Sequence, residues 1–518
     1  MTGAEILIKT SIESGVDVCF ANFGTTELNL VSAQDSVPGI RSVLCLFEGV
    51  CSGAADGYAR MLEKPAMTLL HLGPGLSNAS ANLHNARRAY SPMLSIIGEH
   101  ALWHRQSDAP EVMDIETLAR PVSDWIRLAK SPDTISHDTA SAISSSMQGN
   151  SATLIVPQDV QWNESLNPLI ESAKPHIEPV DPVNINEIAR VLRGGGRTLM
   201  VLGPKSLREN GLKAAARIRT KTGCDLVSET FPARMERGLG IPFVDRIPYF
   251  PEPAFDFFSQ YDSIILVGAK SPVAFFAYQG GRSNLLTESH NIYALGSRYQ
   301  NLAQALEMLS DTVGARNQGF MAEPDSGSQL ADSLPTGPLT AEKACMVLAA
   351  LQPEGAIVVD ESVTSGFAYY QAASCAPHHD WVPITGGAIG QGMPCAIGAA
   401  IACPDRPVIN FQADGSAMYT LQALWTQARE ELNITTLICS NKSYNILRIE
   451  MARSGQSKPG KAFKNLTNLD RPPIKWTQVG NGMGVPAVSV TTAENLSKEL
   501  SRSLEEAGPH LIELVLSS

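Results

Sequence analysis

Apolar and β-branched runs, each closing on glycine or a polar residue, alternate along this chain with longer segments of helical period. That alternation predicts an α/β protein with parallel sheets, because helices covering both faces of a sheet leave its strands as continuous apolar runs. Strand candidates in a first block fall at 17–24, 40–49, 65–75, 92–99 and 151–160. A second block offers 197–207, 262–270 and 291–296, and a third 355–362, 406–416, 434–441 and 510–516. Two stretches rich in proline and polar residues, 163–184 and 320–339, separate the blocks and predict domains at 1–165, 185–320 and 338–518. The expected architecture is three doubly wound parallel-sheet domains, the middle one Rossmann-like.

Composition agrees with several buried cores. The chain has 518 residues, 44% of them hydrophobic and 18% charged, against roughly 150 residues for a typical domain. Forty basic and fifty-two acidic residues give a net charge of -12, with no Lys/Arg-rich run to neutralise a phosphate backbone, so nucleic acid is excluded as an expected partner. The N-terminus has no cationic leader followed by an apolar core, and no long charge-free apolar stretch follows, which predicts a cytoplasmic protein without a membrane partner. Nine cysteines without close C-x-x-C spacing read as reduced, buried thiols.

In open parallel sheets ligands bind beyond the carboxyl ends of the strands. The polar residues there are Thr25, Thr26, Glu27, Glu48, His71 and Glu99 in the first block, and Asp360, Glu361, Ser362, Asp414, Ser416, Asn441 and Ser443 in the third. One side offers a carboxylate and an imidazole, the other oxygen ligands and hydroxyls, which suggests a site between two domains. Ala413-Asp414-Gly415-Ser416 follows a strand and opens a helix, a turn that presents free N–H groups to an anion beside a carboxylate for a hard cation. Twenty-five residues separate Gly415 from Asn441, enough for one helix and a return strand, so Asn441 should end beside Asp414. Carboxylate, amide and phosphate oxygens are the ligands magnesium prefers.

This pattern resembles the Gly-Asp-Gly to Asn-Asn motif of the thiamine-diphosphate enzymes of the pyruvate decarboxylase, acetolactate synthase and benzoylformate decarboxylase superfamily, with Ala413 and Ser440 as the two altered letters. The resemblance covers essentially the whole chain, in the order pyrimidine-binding, middle and diphosphate-binding domain. It implies thiamine diphosphate and Mg2+ as cofactors, with Asp414, the Asn441 side chain and the Ser443 carbonyl on the metal. LFEGVCSGAADGYAR (46–60) is similar to the segment carrying the activating glutamate, here Glu48, whose place after an apolar run should bury it and raise its pKa. GGAIGQGMPCAIGAA (386–400) resembles the stretch that bends the cofactor, with Gly387 beside the wedge Ile389, and VDESVTSG (359–366) the loop that holds the diphosphate, through Thr364 and the backbone near Val363. Gly415, Ser416, Ala417 and Tyr444 complete the implied cofactor contacts.

His71 and Thr25 match active-site positions of the benzoylformate decarboxylases, and His104, with Arg105, follows a strand where related decarboxylases place further groups. The partner histidine of the middle domain is replaced by Ala277, and the acceptor-selecting tryptophan of the true acetohydroxyacid synthases by Glu450. The implied function is therefore a carbon–carbon lyase or ligase that decarboxylates a 2-oxo acid to an enamine, then protonates it or adds it to a second carbonyl. Apolar residues of 271–280, with Ile446 and Leu447, would line the substrate pocket. Two other readings stand beside it: an aldehyde or 2-hydroxyacyl carboligase that loses no carbon dioxide, and a non-catalytic cofactor-binding subunit. FAD, present in some relatives, would need middle-domain features that GLGIPF and RGGGR are too short to supply. The family pairs its domains across subunits, which implies a homodimer or homotetramer.

Overall fold

A computed structural model describes residues 1–166, 170–173, 177–320, 334–455 and 459–517. Most of the 320–339 break, and parts of the 163–184 segment, lie outside these residues. The first sheet contains β1 (Val18–Asn22), β2 (Arg41–Leu44), β3 (Ala66–Leu70), β4 (Met93–Glu99), β5 (Trp125–Leu128) and β6 (Ser151–Pro157), in the order β2-β1-β3-β4-β6-β5, all parallel. The chain then forms β7 (Thr198–Leu202), β8 (Asp225–Ser228), β9 (Met235–Arg237), β10 (Asp245–Arg246), β11 (Ser263–Val267) and β12 (Asn291–Ala294). Five of these make a parallel middle sheet, β10-β8-β7-β11-β12. The third sheet takes β13 (Ala356–Glu361), β14 (His379–Pro383), β15 (Val408–Ala413), β16 (Ile434–Ser440), β17 (Ala487–Val490) and β18 (His510–Val515).

The third sheet departs from the all-parallel expectation at one edge. β9, from the middle of the chain, pairs antiparallel with β14, placing Arg237 opposite His379 and Met235 opposite Trp381. Arg237 then stacks over the Tyr370 ring at 3.6 Å. The neighbouring Arg234 reaches the buried Asp380 at 2.5 Å, and Arg406 meets the same carboxylate at 2.7 Å. Burial alone would raise that carboxyl; the two guanidinium groups hold it below its ordinary value. The middle domain is thereby clamped to the third by a strand and an ion pair.

The first and third domains share one hydrophobic core, in which the helices Glu48–Leu62 and Gly392–Ala402 pack together. Small residues allow this approach: a Cβ on Gly57 would lie 2.0 Å from the Cys395 carbonyl oxygen, and one on Gly398 1.8 Å from that of Ala54. None of the nine cysteines is in a disulfide among the described residues, and burial pushes those at 19, 345 and 395 up to about 12, as expected of inert core thiols. No helix among the described residues is long and apolar enough to cross a membrane.

Register aligns the strand ends that matter. Asn22 stands opposite Leu70, and Leu70 opposite Ile97, so the turns after β1 and β3 emerge side by side, with the last residues of β4 beside them. In the third sheet Glu361 faces Gln412 and Ala413 faces Cys439, which brings the loops after β13, β15 and β16 together.

Candidate active site

Asp414 opens a short helical turn at the end of β15 and is buried. Its Oδ1 accepts from the Gly415 N–H at 2.8 Å and its Oδ2 from the Lys442 N–H at 2.7 Å. Among the described residues no cationic side chain pairs with it, and burial pushes its carboxyl up to about 6. Asn441, at the end of β16, accepts from the Ser443 N–H at 2.9 Å, and the buried Ser443 hydroxyl has no hydrogen-bond partner. A buried, uncompensated carboxylate among amide, carbonyl and hydroxyl oxygens is a donor set that fits a hard divalent cation. The Tyr444 ring packs on this turn, since a Cβ on Gly415 would sit 2.4 Å from it. Thr364 is half-buried in the turn Val363–Gly366, beside the buried Ser416 and Ala417 at the end of the neighbouring strand.

Backbone strain collects at these strand ends. Leu72, Val363 and Lys442, which follow β3, β13 and β16, have φ of +50°, +52° and +55°. A left-handed conformation is costly for a β-branched valine, and such residues persist where surrounding structure enforces them, commonly at ligand sites.

The turn carrying Gly387 and Ile389 is held by all three domains. Glu361, fully buried, accepts from the Gly390 and Gly392 N–H groups, each at 2.6 Å, and from Gln412 at 2.9 Å. Burial raises its carboxyl, against the pull of these donors. From the first domain, Asn85 donates to the Ala388 carbonyl at 2.7 Å and accepts from the Ala388 N–H at 3.2 Å, while Asn82 donates to the Gly390 carbonyl at 3.1 Å. From the middle domain, Phe275 covers Gly387, whose φ is +77° and whose added Cβ would lie 2.8 Å from the ring. Asn82 and Asn85 escape the sequence reading, whereas Glu361 stands in it as a polar strand end but without its tie to this turn. Asn82 and Asn85 lie in a helix rich in polar residues, LGPGLSNASANLHNARRA, where nothing in the sequence marks them as buried.

Phe275 belongs to an aromatic cluster. Its ring lies 5.7 Å from Phe231, 5.4 Å from Tyr249 and 4.7 Å from Phe276. Beyond it the Tyr278 hydroxyl donates to Glu450 at 3.2 Å, and Arg453 stacks on Phe250 at 3.9 Å. Burial and the nearby Glu450 push Tyr249 up to about 12. Ala277 is exposed, whereas Leu447 and Ile446 begin the helix Asn445–Arg453 that faces this cluster.

On the first sheet, Glu48 is the first residue of its helix and is half-buried, less enclosed than its place after an apolar run predicts; Asn78 donates to its Oε2 at 3.0 Å. His71 follows β3 and meets Glu27, which is fully buried: Nδ1 is 2.8 Å from Glu27 Oε2 and 3.1 Å from Thr26 Oγ1, and Nε2 is 3.4 Å from Glu111. Burial, the largest influence, lowers the imidazole pKa, but Glu27 and Glu111 together outweigh it and raise the net value. Glu27 is held in turn by the Gly24 N–H at 2.7 Å and the Thr26 hydroxyl. A Cβ on Gly98 would come 1.7 Å from Glu27 Oε1, so the carboxylate occupies room that only glycine leaves. Thr25 is exposed, and it is Thr26 that touches His71. His104 stacks edge-on with His100 and Trp103, each at 5.4 Å, beside Arg105, whose Nε lies 3.3 Å from the buried Glu99. Among the described residues no hydrogen bond joins Glu48 or His71 to Asp414 or Asn441.

This fold is that of an α/β protein of three parallel-sheet domains, with the candidate polar groups gathered at the strand ends of the first sheet and the third. Residues 1–118 match the N-terminal, and residues 364–514 the C-terminal, TPP binding domain of the thiamine pyrophosphate enzymes. The chain belongs to that family and is a thiamine-diphosphate-dependent enzyme. It is 46% identical over 520 residues to "Putative acetolactate synthase large subunit IlvX" of Mycobacterium tuberculosis, covering 100% of this chain and 99% of that one. It is 27% identical to the benzoylformate decarboxylase of Pseudomonas aeruginosa, covering 96% of each. Among solved structures, the 4-hydroxybenzoylformate decarboxylase of Rhodococcus jostii superposes with a TM-score of 0.83 at 23% identity, over 100% of this chain and 99% of that one, which supports the shared fold.

Proposed function

We propose that this enzyme, with thiamine diphosphate and magnesium, decarboxylates a 2-oxo acid and then protonates the product or joins it to a second carbonyl compound. The observation that carries the reading is the buried, unpaired Asp414 carboxylate level with Asn441 at the ends of β15 and β16. Asp414, the Asn441 side chain and the Ser443 carbonyl would hold the metal, and Thr364 with the turn Gly415, Ser416 and Ala417 the diphosphate. Gly387 and Ile389, on the turn gripped by Glu361, Asn82 and Asn85, would fix the bend of the cofactor, with Tyr444 flanking it. When bound, thiamine diphosphate supplies a nucleophilic thiazolium carbon and an electron sink for the carbanion left by carbon dioxide.

Glu48 would share a proton with the pyrimidine ring. His71 turns Nδ1 toward Glu27, and its Nε2, 3.4 Å from the exposed Glu111, would pass a proton to or from the reacting carbon. Thr25 and His104 stand near the same strand ends as further polar contacts. The Phe231, Tyr249 and Phe275 rings favour a 2-oxo acid with an aromatic or large apolar side group, in keeping with the benzoylformate decarboxylase among the relatives.

The division at 1–165, 185–320 and 338–518 belongs to this proposal, as do the cytoplasmic setting and a homodimer or homotetramer. Exposed Phe23, Leu28, Leu46 and Trp103 beside the first half-site, and Phe276, Phe367, Met418 and Leu447 beside the second, support joining the halves across subunits. Carbon dioxide release by holoenzyme from pyruvate, 2-oxobutyrate, branched 2-oxo acids and benzoylformate tests the reading. Release from benzoylformate above pyruvate is expected. Condensation of aldehydes with no carbon dioxide from any 2-oxo acid would replace it with the carboligase reading.

A further inference from the structure

Where the middle domain meets the third, away from the candidate active site, three side chains of mixed ligand type converge: Glu209, Glu236 and His378. The register explains the meeting. β9 pairs antiparallel with β14 so that Glu236 stands opposite Asp380. Side chains two residues apart along an extended segment share a face, which sets His378 diagonal to Glu236 across the pair. Glu209 begins the helix Glu209–Thr222, and its N–H donates to Glu236 Oε2 at 2.6 Å, so the start of that helix is drawn to the same point. The adjacent His379 takes the other face, where burial pushes its pKa down to about 3, and only one histidine of the pair joins the carboxylates.

His378 is oriented from behind. Its N–H donates to Glu354 Oε2 at 2.8 Å, and its ring Nδ1 lies 3.9 Å from Glu354 Oε1. Nε2 is buried and has no hydrogen-bond partner, a state that buried polar atoms seldom keep without an ion or water to satisfy them. A carboxylate behind one ring nitrogen, with the other left free, is how metal-binding histidines are held. The two glutamates retain acceptor capacity. Lys213 meets Glu209 through Oε1, and Arg234 meets Glu236 through Oε1 at 3.2 Å, whereas a carboxylate offers about four lone-pair sites. One ligand atom from each of the three residues lies within 4.8 Å of the others, and tetrahedral bonds of about 2.0–2.1 Å space such atoms by about 3.4 Å, a change that side-chain rotation supplies.

We propose that Glu209, Glu236 and His378 bind a divalent transition-metal ion of the zinc type, with water completing its coordination. An imidazole beside two carboxylates suits such an ion, whereas magnesium takes oxygen ligands, so this site differs in chemistry as well as place from the one at Asp414. The glutamates belong to the middle domain and the histidine to the third. A bound ion therefore ties the two domains beside the edge where β9 joins β14.

The test is calorimetric titration of zinc into the holoenzyme, saturated with thiamine diphosphate and magnesium so that the cofactor site is filled. Cobalt serves as a second probe, because its visible absorption reports the ligands that hold it. One zinc ion per chain, a higher Tm with zinc and a cobalt absorption band are expected, with affinity at least about tenfold weaker in His378→Asn and in Glu209→Gln. His378 Nε2 has no partner to lose, so His378→Asn should fold with an unchanged Tm when zinc is absent. No saturable binding at submillimolar zinc, binding as tight in both variants as in the parent protein, or displacement of zinc by excess magnesium would each overturn the proposal.

Discussion

Replacing Glu27 by glutamine isolates the electrostatic support of His71. The carboxylate is fully buried and touches Nδ1 at 2.8 Å, while the imidazole keeps 20% of its side-chain surface exposed. A hydrogen bond to a charged group contributes about 1.5–3 kcal/mol, and exposure and salt screening put this one at the lower end, about 1.5 kcal/mol. The sign follows from the direction of the shift. The folded imidazole pKa is raised, so its contribution is fully present below the unfolded value of about 6.5 and is lost as pH rises through the folded value. Glu27→Gln removes that contribution and adds a pH-independent cost of repacking. Thermal unfolding of both proteins at about pH 5.5 and about pH 9 should therefore show a wider gap in stability at the acid end. NMR titration of labelled histidine should place His71 lower in the variant. A gap that is constant with pH, together with an unmoved His71 titration, would refute the reasoning.

Glu361→Gln should cost about 1–3 kcal/mol in urea unfolding, because an amide cannot accept from the Gly390 and Gly392 N–H groups and from Gln412 together. The same variant should weaken thiamine diphosphate binding if the turn at 386–392 supports the cofactor; an unchanged affinity would separate that turn from it. Gly398→Ala forces a methyl group against the Ala54 carbonyl and should destabilise by about 1–3 kcal/mol, read as a fall in Tm. Phe275→Ala opens space above Gly387 and should raise kcat/KM for bulkier 2-oxo acids relative to benzoylformate; a uniform loss would place the ring outside the substrate pocket.

The long apolar strands were legible because burial on both faces leaves a continuous run, as in LIVP at the end of β6 or VVDE at the end of β13. β14, reading HDWVP, was not: its polar first residues are buried, with Asp380 satisfied by Arg234 and Arg406 from elsewhere in the chain. β9 is three residues long and joins a sheet whose other strands lie more than a hundred residues later, a pairing no local pattern encodes. In the site, Asp414 and Asn441 could be placed together because their spacing allows one helix and one strand, and the register of Ala413 with Cys439 brings them level. Glu27 could be seen as a polar residue at a strand end, but its tie to His71 depends on adjacent β1 and β3 and on the absent side chain of Gly98. The closer enclosure expected for Glu48 is not made by the groups of one chain, which leaves it half-buried.

The most direct test of the account is calorimetric titration of thiamine diphosphate into dialysed protein, with magnesium and then with EDTA, repeated on Asp414→Asn. Tight binding that requires magnesium and is lost in Asp414→Asn is the predicted result. Binding of equal strength with EDTA, or in the variant, would contradict the assignment of the metal and diphosphate to the ends of β15 and β16.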